Sequence, residues 1–161
     1  MRRGLRKSCP TLLFEWEVSE QMNIVYNDEK KDLPLAQLHE LFIAVGWSDG
    51  GEIPDEMKAG FMQPWLHSTL VVSAWDSDRL VGAVRVLSDT VFRSVIYDLL
   101  VAPQYQGKGI GSELVRRCLA HFPGSGWLVC TEGKTPYFYK KLGFSEMKTT
   151  DMVLGIPCRY F

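Results

Sequence analysis

The stretch VAPQYQGKGIGSELVRRCL, residues 101–119, decides how this sequence folds. Gly107, Gly109 and Gly111 alternate with other residues and run straight into apolar positions of helical period. Ile110, Leu114, Val115, Cys118, Leu119 and Phe122 fall on one stripe. Just upstream, SVIYDLLVA (residues 94–102) reads as a strand ended by Pro103. A strand that turns through residues lacking Cβ into a helix aims that helix's unpaired N–H groups back at the loop. Such a place receives phosphate at close backbone range.

Spacing then selects among phosphate loops. An ATP-type P-loop needs Lys followed by Ser or Thr after its glycines, and Lys108 instead lies between Gly107 and Gly109. A dinucleotide fingerprint, GxGxxG, needs its third glycine at position 112, where Ser112 stands; Gly111 comes one residue early. The spacing Q-x-x-G-x-G fits twice, from Gln104 through Gly107 to Gly109 and from Gln106 through Gly109 to Gly111.

Composition sets the outer bounds. A chain of 161 residues, 46% of them hydrophobic, fits one domain with a substantial core. A formal net charge of −1 provides no field for gripping nucleic acid. Cys9, Cys118, Cys130 and Cys158 are scattered, without a CxxC, and His39, His67 and His121 stand far apart, so no metal site is expected. Cys118 and Cys130 sit among apolar residues and are expected to pack as small hydrophobes in a reducing, cytoplasmic setting. Residues 1–21 open with Arg2, Arg3, Arg6 and Lys7, but Glu15 and Glu17 interrupt the short apolar patch that follows, unlike an export signal. They read as an extension outside a single domain spanning 22–161. No run reaches membrane-spanning length.

The rest of the chain supplies alternating elements. Asn23–Tyr26 reads as a first strand, and Leu35, Leu38, Leu41, Phe42 and Val45 mark a helix ended by Gly46. A polar turn-rich segment leads to a short helix over about Asp55–Met62, begun by Pro54. TLVVSAW (69–75) and LVGAVRVL (80–87) pair as a hairpin across DSDR. Trp127–Cys130 reads as a buried strand and Thr135–Lys141 as a short helix stopped by Gly143. Segments around Phe144 and Met152–Leu154 look extended. Hairpins followed by a crossover predict an α/β (α+β) domain: a mixed, mostly antiparallel sheet with helices on its faces.

LLVAPQYQGKGIGSELV, followed about twenty residues on by YFYKKLGF, resembles the GNAT superfamily of acetyl-CoA-dependent N-acetyltransferases. LFIAVGWSDG and SAWDSDRLVGAVRVLSD also resemble the small branch related to serotonin N-acetyltransferases. The resemblance implies a six- to seven-stranded sheet with a V-shaped splay between its fourth and fifth strands. It implies acetyl-CoA as co-substrate, with pantetheine on the backbone of Leu99, Leu100 and Val101. Pyrophosphate would lie on the amides of Gln106, Gly107, Lys108, Gly109, Ile110, Gly111 and Ser112. YFYKKLGF puts Tyr139 where the family commonly carries a tyrosine that protonates the departing thiolate. Tyr137, two residues earlier, must face elsewhere. Glu132 stands where the family often has Asn. The acceptor implied is the primary amine of a small molecule, attacking directly in a ternary complex. A non-catalytic acyl-CoA sensor and a protein lysine or N-terminal acetyltransferase are the alternatives. A homodimer is one expected assembly.

The acceptor side is less defined. Trp47, Asp49 and Glu52, with Asp55 and Glu56, cluster an aromatic with carboxylates that suit a cationic amine. Asp98 is the candidate carboxylate on the strand before the glycine loop, and it either serves this site or pairs with Arg85 on the neighbouring strand. The general base stays open.

Overall fold

Three consecutive segments of alternating apolar residues build the centre of the molecule, which is described from a computed structural model over residues 22–131 and 135–147. They are the strands β2 (Leu70–Asp76), β3 (Arg79–Ser88) and β4 (Arg93–Val101). Flanking them are β1 (Ile24–Asn27) and β5 (Gly126–Val129). The helices are α1 (Leu35–Ala44), α2 (Asp55–Leu66), α3 (Ile110–His121) and α4 (Thr135–Lys140). The five described strands form one sheet in the order β1-β2-β3-β4-β5, antiparallel except for the β4–β5 pair. The parallel pair follows from the crossover through α3.

This is the mixed α/β architecture expected, with five described strands where six or seven were anticipated. The segment at Phe144 makes no ladder because it closes α4 instead: its amide bonds the Tyr139 carbonyl at 3.2 Å and its ring meets Tyr139 edge-on at 5.4 Å. Residues 152–154 lie outside the described residues, as do residues 1–21, Glu132, Cys9 and Cys158.

Period-2 alternation divides the sheet's side chains between two cores. Leu70, Val72, Ala74, Val84, Val86 and Ile96 pack against Ile110, Leu114, Val115 and Cys118 of α3. Val71, Leu80, Ala83 and Leu100 face the other way, against Leu38 and Leu41 of α1 and Trp65 of α2. The helix expected to end near Met62 runs on to Leu66 through Pro64, which has no N–H to offer the Gly60 carbonyl. It continues because Trp65 is 1% exposed in the α1-side core, and the Ser68 hydroxyl bonds back to the Pro64 carbonyl at 2.6 Å.

Two residues break the alternation, and one of them shapes the site. On β4, Arg85 faces Asp98 while Val86 faces Ile96, so Tyr97 is an inserted residue. Ahead of this bulge Ile96 faces α3; beyond it Leu99 and Val101 do, and Leu100 turns to the α1 side. The β4–β5 ladder ends at the same place, with Ile96 opposite Val129. From Tyr97 to Val101, β4 has no neighbour on that side among the described residues, which is the expected splay.

Gly82 seats α3 on the sheet. A Cβ there would lie 3.1 Å from the Leu100 carbonyl oxygen and 3.2 Å from Leu114 Cδ1, both packed in the interior. Gly82→Ala should therefore destabilise the domain by about 1–3 kcal/mol through overpacking, read by thermal or urea denaturation. Burial also sets a pH limit. Desolvation, opposed in part by a backbone hydrogen bond, pushes the Cys118 thiol from 9.0 to about 12. Desolvation and then the nearby Cys118 push the Tyr139 phenol from 10.0 to about 12. The folded state keeps both protons where the unfolded chain releases them, so this stability is complete below pH 9 and lost as pH rises toward 12. Denaturation midpoints should fall over that window, by up to ~1.4 kcal/mol per pH unit for each group, and more gently in Cys118→Ala.

Candidate active site

Backbone conformation explains the glycine loop before any ligand does. Pro103–Tyr105 forms a single 3₁₀ turn after β4. The chain then passes through Gly107 at φ 75° and Gly109 at φ 86°, left-handed positions that disfavour any residue with a Cβ. Gly109 is the N-cap of α3 and provides no side-chain cap. The first helical bond runs from the Glu113 amide to the Gly109 carbonyl, 3.0 Å, and the amides of Gly107 to Ser112 have no acceptor among the described residues. A Cβ on Gly107 or Gly109 would meet nothing within 4 Å, so the cradle of N–H groups opens outward.

Charge agrees with backbone. The Lys108 ammonium has no carboxylate partner among the described residues; it sits 3.3 Å from Met22 Sδ and 5.3 Å from the centre of the Tyr105 ring. Glu113, the acid in the first turn of α3, is held by Arg117 at 3.0 Å and Arg116 at 3.5 Å, which offsets its repulsion of an anion. Tyr105, which sequence reasoning passed over, braces the loop: its hydroxyl donates to Asp76 Oδ2 at 2.8 Å, tying the loop to the β2–β3 hairpin. A polyanion such as a pyrophosphate fits this donor set.

Two expected backbone contacts are used by the protein itself. The Gln106 amide donates to the Pro103 carbonyl at 3.1 Å, so the unpaired amides start at Gly107. The Gln106 side chain donates to the Val101 carbonyl at 2.9 Å. The Leu100 carbonyl points at Gly82 on β3, so strand alternation turns the polar groups of Leu99 and Val101 to the open edge. That edge is bordered by α4, since a Cβ on Gly111 would touch both Phe138 and Val101 Cγ2 at 3.5 Å.

Tyr139 and Tyr137 separate as helix geometry requires. Tyr137 is 68% exposed with the Lys141 ammonium over its ring, whereas Tyr139 is 5% exposed and packs between Phe138 and Phe144. The Tyr139 hydroxyl bonds no described residue, and among those residues no side-chain polar atom is both wholly occluded and unpartnered. Its ring is therefore buried while its oxygen keeps an opening. With its pKa pushed up to about 12, it is a proton donor at neutral pH.

On the α1 face, Asp98 pairs with Arg85 directly opposite, and both are largely buried, at 19% and 11% exposed. The pairing alternative read from sequence is the one realised. Trp47 is 55% exposed and stands edge-on to Phe42 at 5.8 Å. Asp49 accepts the Gly51 amide at 3.0 Å, and Glu52 is exposed with no described partner. Among the described residues no hydrogen bond, ion pair or ring contact joins these three to β4, and they lie on the segment between α1 and α2. Cys118 is buried as expected, but Cys130 is exposed, where it follows the last β5 residue paired with β4. Among the described residues no His, Cys, Asp and Glu cluster to hold a metal, and no helix is long and apolar enough to cross a membrane.

Known proteins share this arrangement. A family model for the acetyltransferase (GNAT) domain matches residues 67–146, from the end of α2 past α4. The uncharacterized N-acetyltransferase ycf52 of Porphyra purpurea is 28% identical over 139 residues, 84% of this chain and 78% of that protein. Chloroplastic serotonin N-acetyltransferase 2 of Oryza sativa subsp. japonica is 28% identical over 120 residues, 70% of this chain and 57% of that protein. The solved structure of a GNAT-family acetyltransferase from Streptococcus pneumoniae superposes with a TM-score of 0.66 at 28% identity, covering 85% of this chain and 98% of that one. With its glycine cradle, open β4 edge and buried tyrosine in the expected order, the chain belongs to the GNAT superfamily of acetyltransferases.

Proposed function

We propose that this protein is an acetyl-CoA-dependent N-acetyltransferase acting on the primary amine of a small molecule by direct attack in a ternary complex. The observation that carries this reading is the edge of β4 from Tyr97 to Val101, unpaired on the β5 side among the described residues and bordered by the donor-rich loop and by Phe138, the neighbour of Tyr139 on α4. Acetyl-CoA supplies an activated acyl thioester. The amides of Gly107 to Ser112, with Lys108, would hold its pyrophosphate, and the open-edge backbone of Leu99 and Val101 its pantetheine. A ladder N–H at that edge suits the oxygen on which charge builds during attack.

Tyr139 holds the proton that the departing thiolate needs. Its raised pKa keeps it protonated over the whole working range, and the opening at its oxygen lets it donate. Asp98, held by Arg85, is not a free base, so the ammonium of the acceptor loses its proton to solvent at the splay. Burial holds Cys118 as a neutral thiol, pushed up to about 12, which disfavours an acyl-enzyme on that residue. The small-molecule acceptor is supported by a relative named for serotonin, and the fold also carries an enzyme named for aminoglycosides.

Calorimetry with acetyl-CoA tests the donor: saturable binding is expected, and its absence ends this reading. Tyr139→Phe should lower kcat by about 100-fold or more with acetyl-CoA affinity within about twofold, measured by release of the CoA thiol with an amine panel. Unchanged turnover would remove Tyr139 from the mechanism.

A further inference from the structure

The inserted residue on β4 is an aromatic ring presented at the point where the sheet opens. Tyr97 follows Ile96, the last β4 residue paired with β5, and is itself unpaired with β3 because of the bulge. Its side chain is not packed away: the residue is 60% exposed. One face of the ring is nevertheless occupied, with the Arg85 guanidinium carbon 4.4 Å from its centre. Arg85 is fixed in turn by Asp98 on the adjacent strand, in a pair that is 11% and 19% exposed. A ring held from behind by a largely buried ion pair loses little freedom when something stacks on its other face.

From this geometry we infer that Tyr97 is the acceptor platform, and that it selects a primary amine carrying a flat aromatic body over a multiply charged aliphatic amine. This rests on the acetyltransferase reading above. Arg85 and Asp98 lie in one cross-strand row with Val71, which belongs to the α1-side core, so Tyr97 meets Arg85 on the α1 face. The glycine loop and Tyr139 lie with α3 on the other side, so an acceptor stacked on Tyr97 approaches the open edge of β4 from the side opposite the donor. Two features set the selectivity. A guanidinium on one face of the ring opposes a second cation on the other, leaving dispersion and apolar burial as the attraction there. Asp98, the next residue on β4, is already neutralised by Arg85 and offers no free partner to a second ammonium.

The test uses the whole protein saturated with CoA, and calorimetric titration with 2-phenylethylamine and with butane-1,4-diamine. The aromatic amine should bind more tightly. Tyr97→Ala should weaken its binding and raise its KM about tenfold, with a smaller change in kcat, while Tyr97→Phe behaves as the parent. Acetyl-CoA affinity and thermal midpoint, measured on each variant, separate loss of the platform from loss of the fold. Tighter binding of the diamine, no binding of either amine to the CoA-loaded protein, or a Tyr97→Ala variant that binds the aromatic amine like the parent would each overturn the inference. A protein that fails to bind acetyl-CoA at all would overturn the donor reading first, and this inference with it.

Discussion

One extra residue in β4 governs the geometry of the whole domain. Because Tyr97 has no partner across the β3 ladder, the pleat reverses: Ile96 faces α3, and after the bulge Leu99 and Val101 do so in its place. A bulge bends its strand and increases local twist, which carries the following residues away from β5. The parallel ladder therefore stops after Val129, and among the described residues the last β4 residues have no strand on that side. Buried backbone groups need partners, so an opening of this kind persists only where solvent or a ligand satisfies them. The opening is thus a consequence of the sheet's own irregularity.

The helix that serves this opening is positioned by a second constraint, the lack of a side chain at Gly82. With Leu114 Cδ1 and the Leu100 carbonyl both within about van der Waals distance of an added Cβ, α3 approaches β3 and β4 as closely as atoms permit. Its N-terminus is then brought beside the end of the open edge, where Gly111 sits under Val101 and Phe138. Tyr105 completes the frame by linking the loop to the β2–β3 hairpin through Asp76. Close packing, a glycine turn and one hydrogen bond together orient amides that make no bond among the described residues.

Much of this was legible in the sequence because the signals are local. Left-handed glycines before an amphipathic stripe carry their own reading, and a two-residue offset on a helix separates Tyr137 from Tyr139 without any structure. What escaped depends on distant partners. VIYDLLV does not say which of its residues is inserted, since that is decided by β3 and by where β5 ends. Cys130 reads as core from its apolar neighbours, yet its exposure follows from the ladder stopping one residue earlier. Gln106 looked like a phosphate amide because of its place in the motif, whereas the 3₁₀ turn takes its N–H for Pro103. The helix read over about Asp55–Met62 runs on through Pro64 to Leu66, because the burial of Trp65 favours its continuation.

The distribution of charge follows the same division of faces. On the α3 side the described groups leave positive potential uncompensated at the loop: Lys108 without a carboxylate, six unpaired amides, and an acid, Glu113, neutralised by two arginines. On the α1 side the strongest charges, Arg85 and Asp98, cancel each other, and separating them would leave a costly unpaired charge in a largely buried place. The pair therefore cannot readily exchange Asp98 for an incoming ammonium, nor release Arg85 to an anion. The uncompensated positive groups and the cancelled pair therefore lie on opposite faces of the sheet, and Tyr97, on the side of the cancelled pair, is the aromatic ring that the bulge leaves exposed.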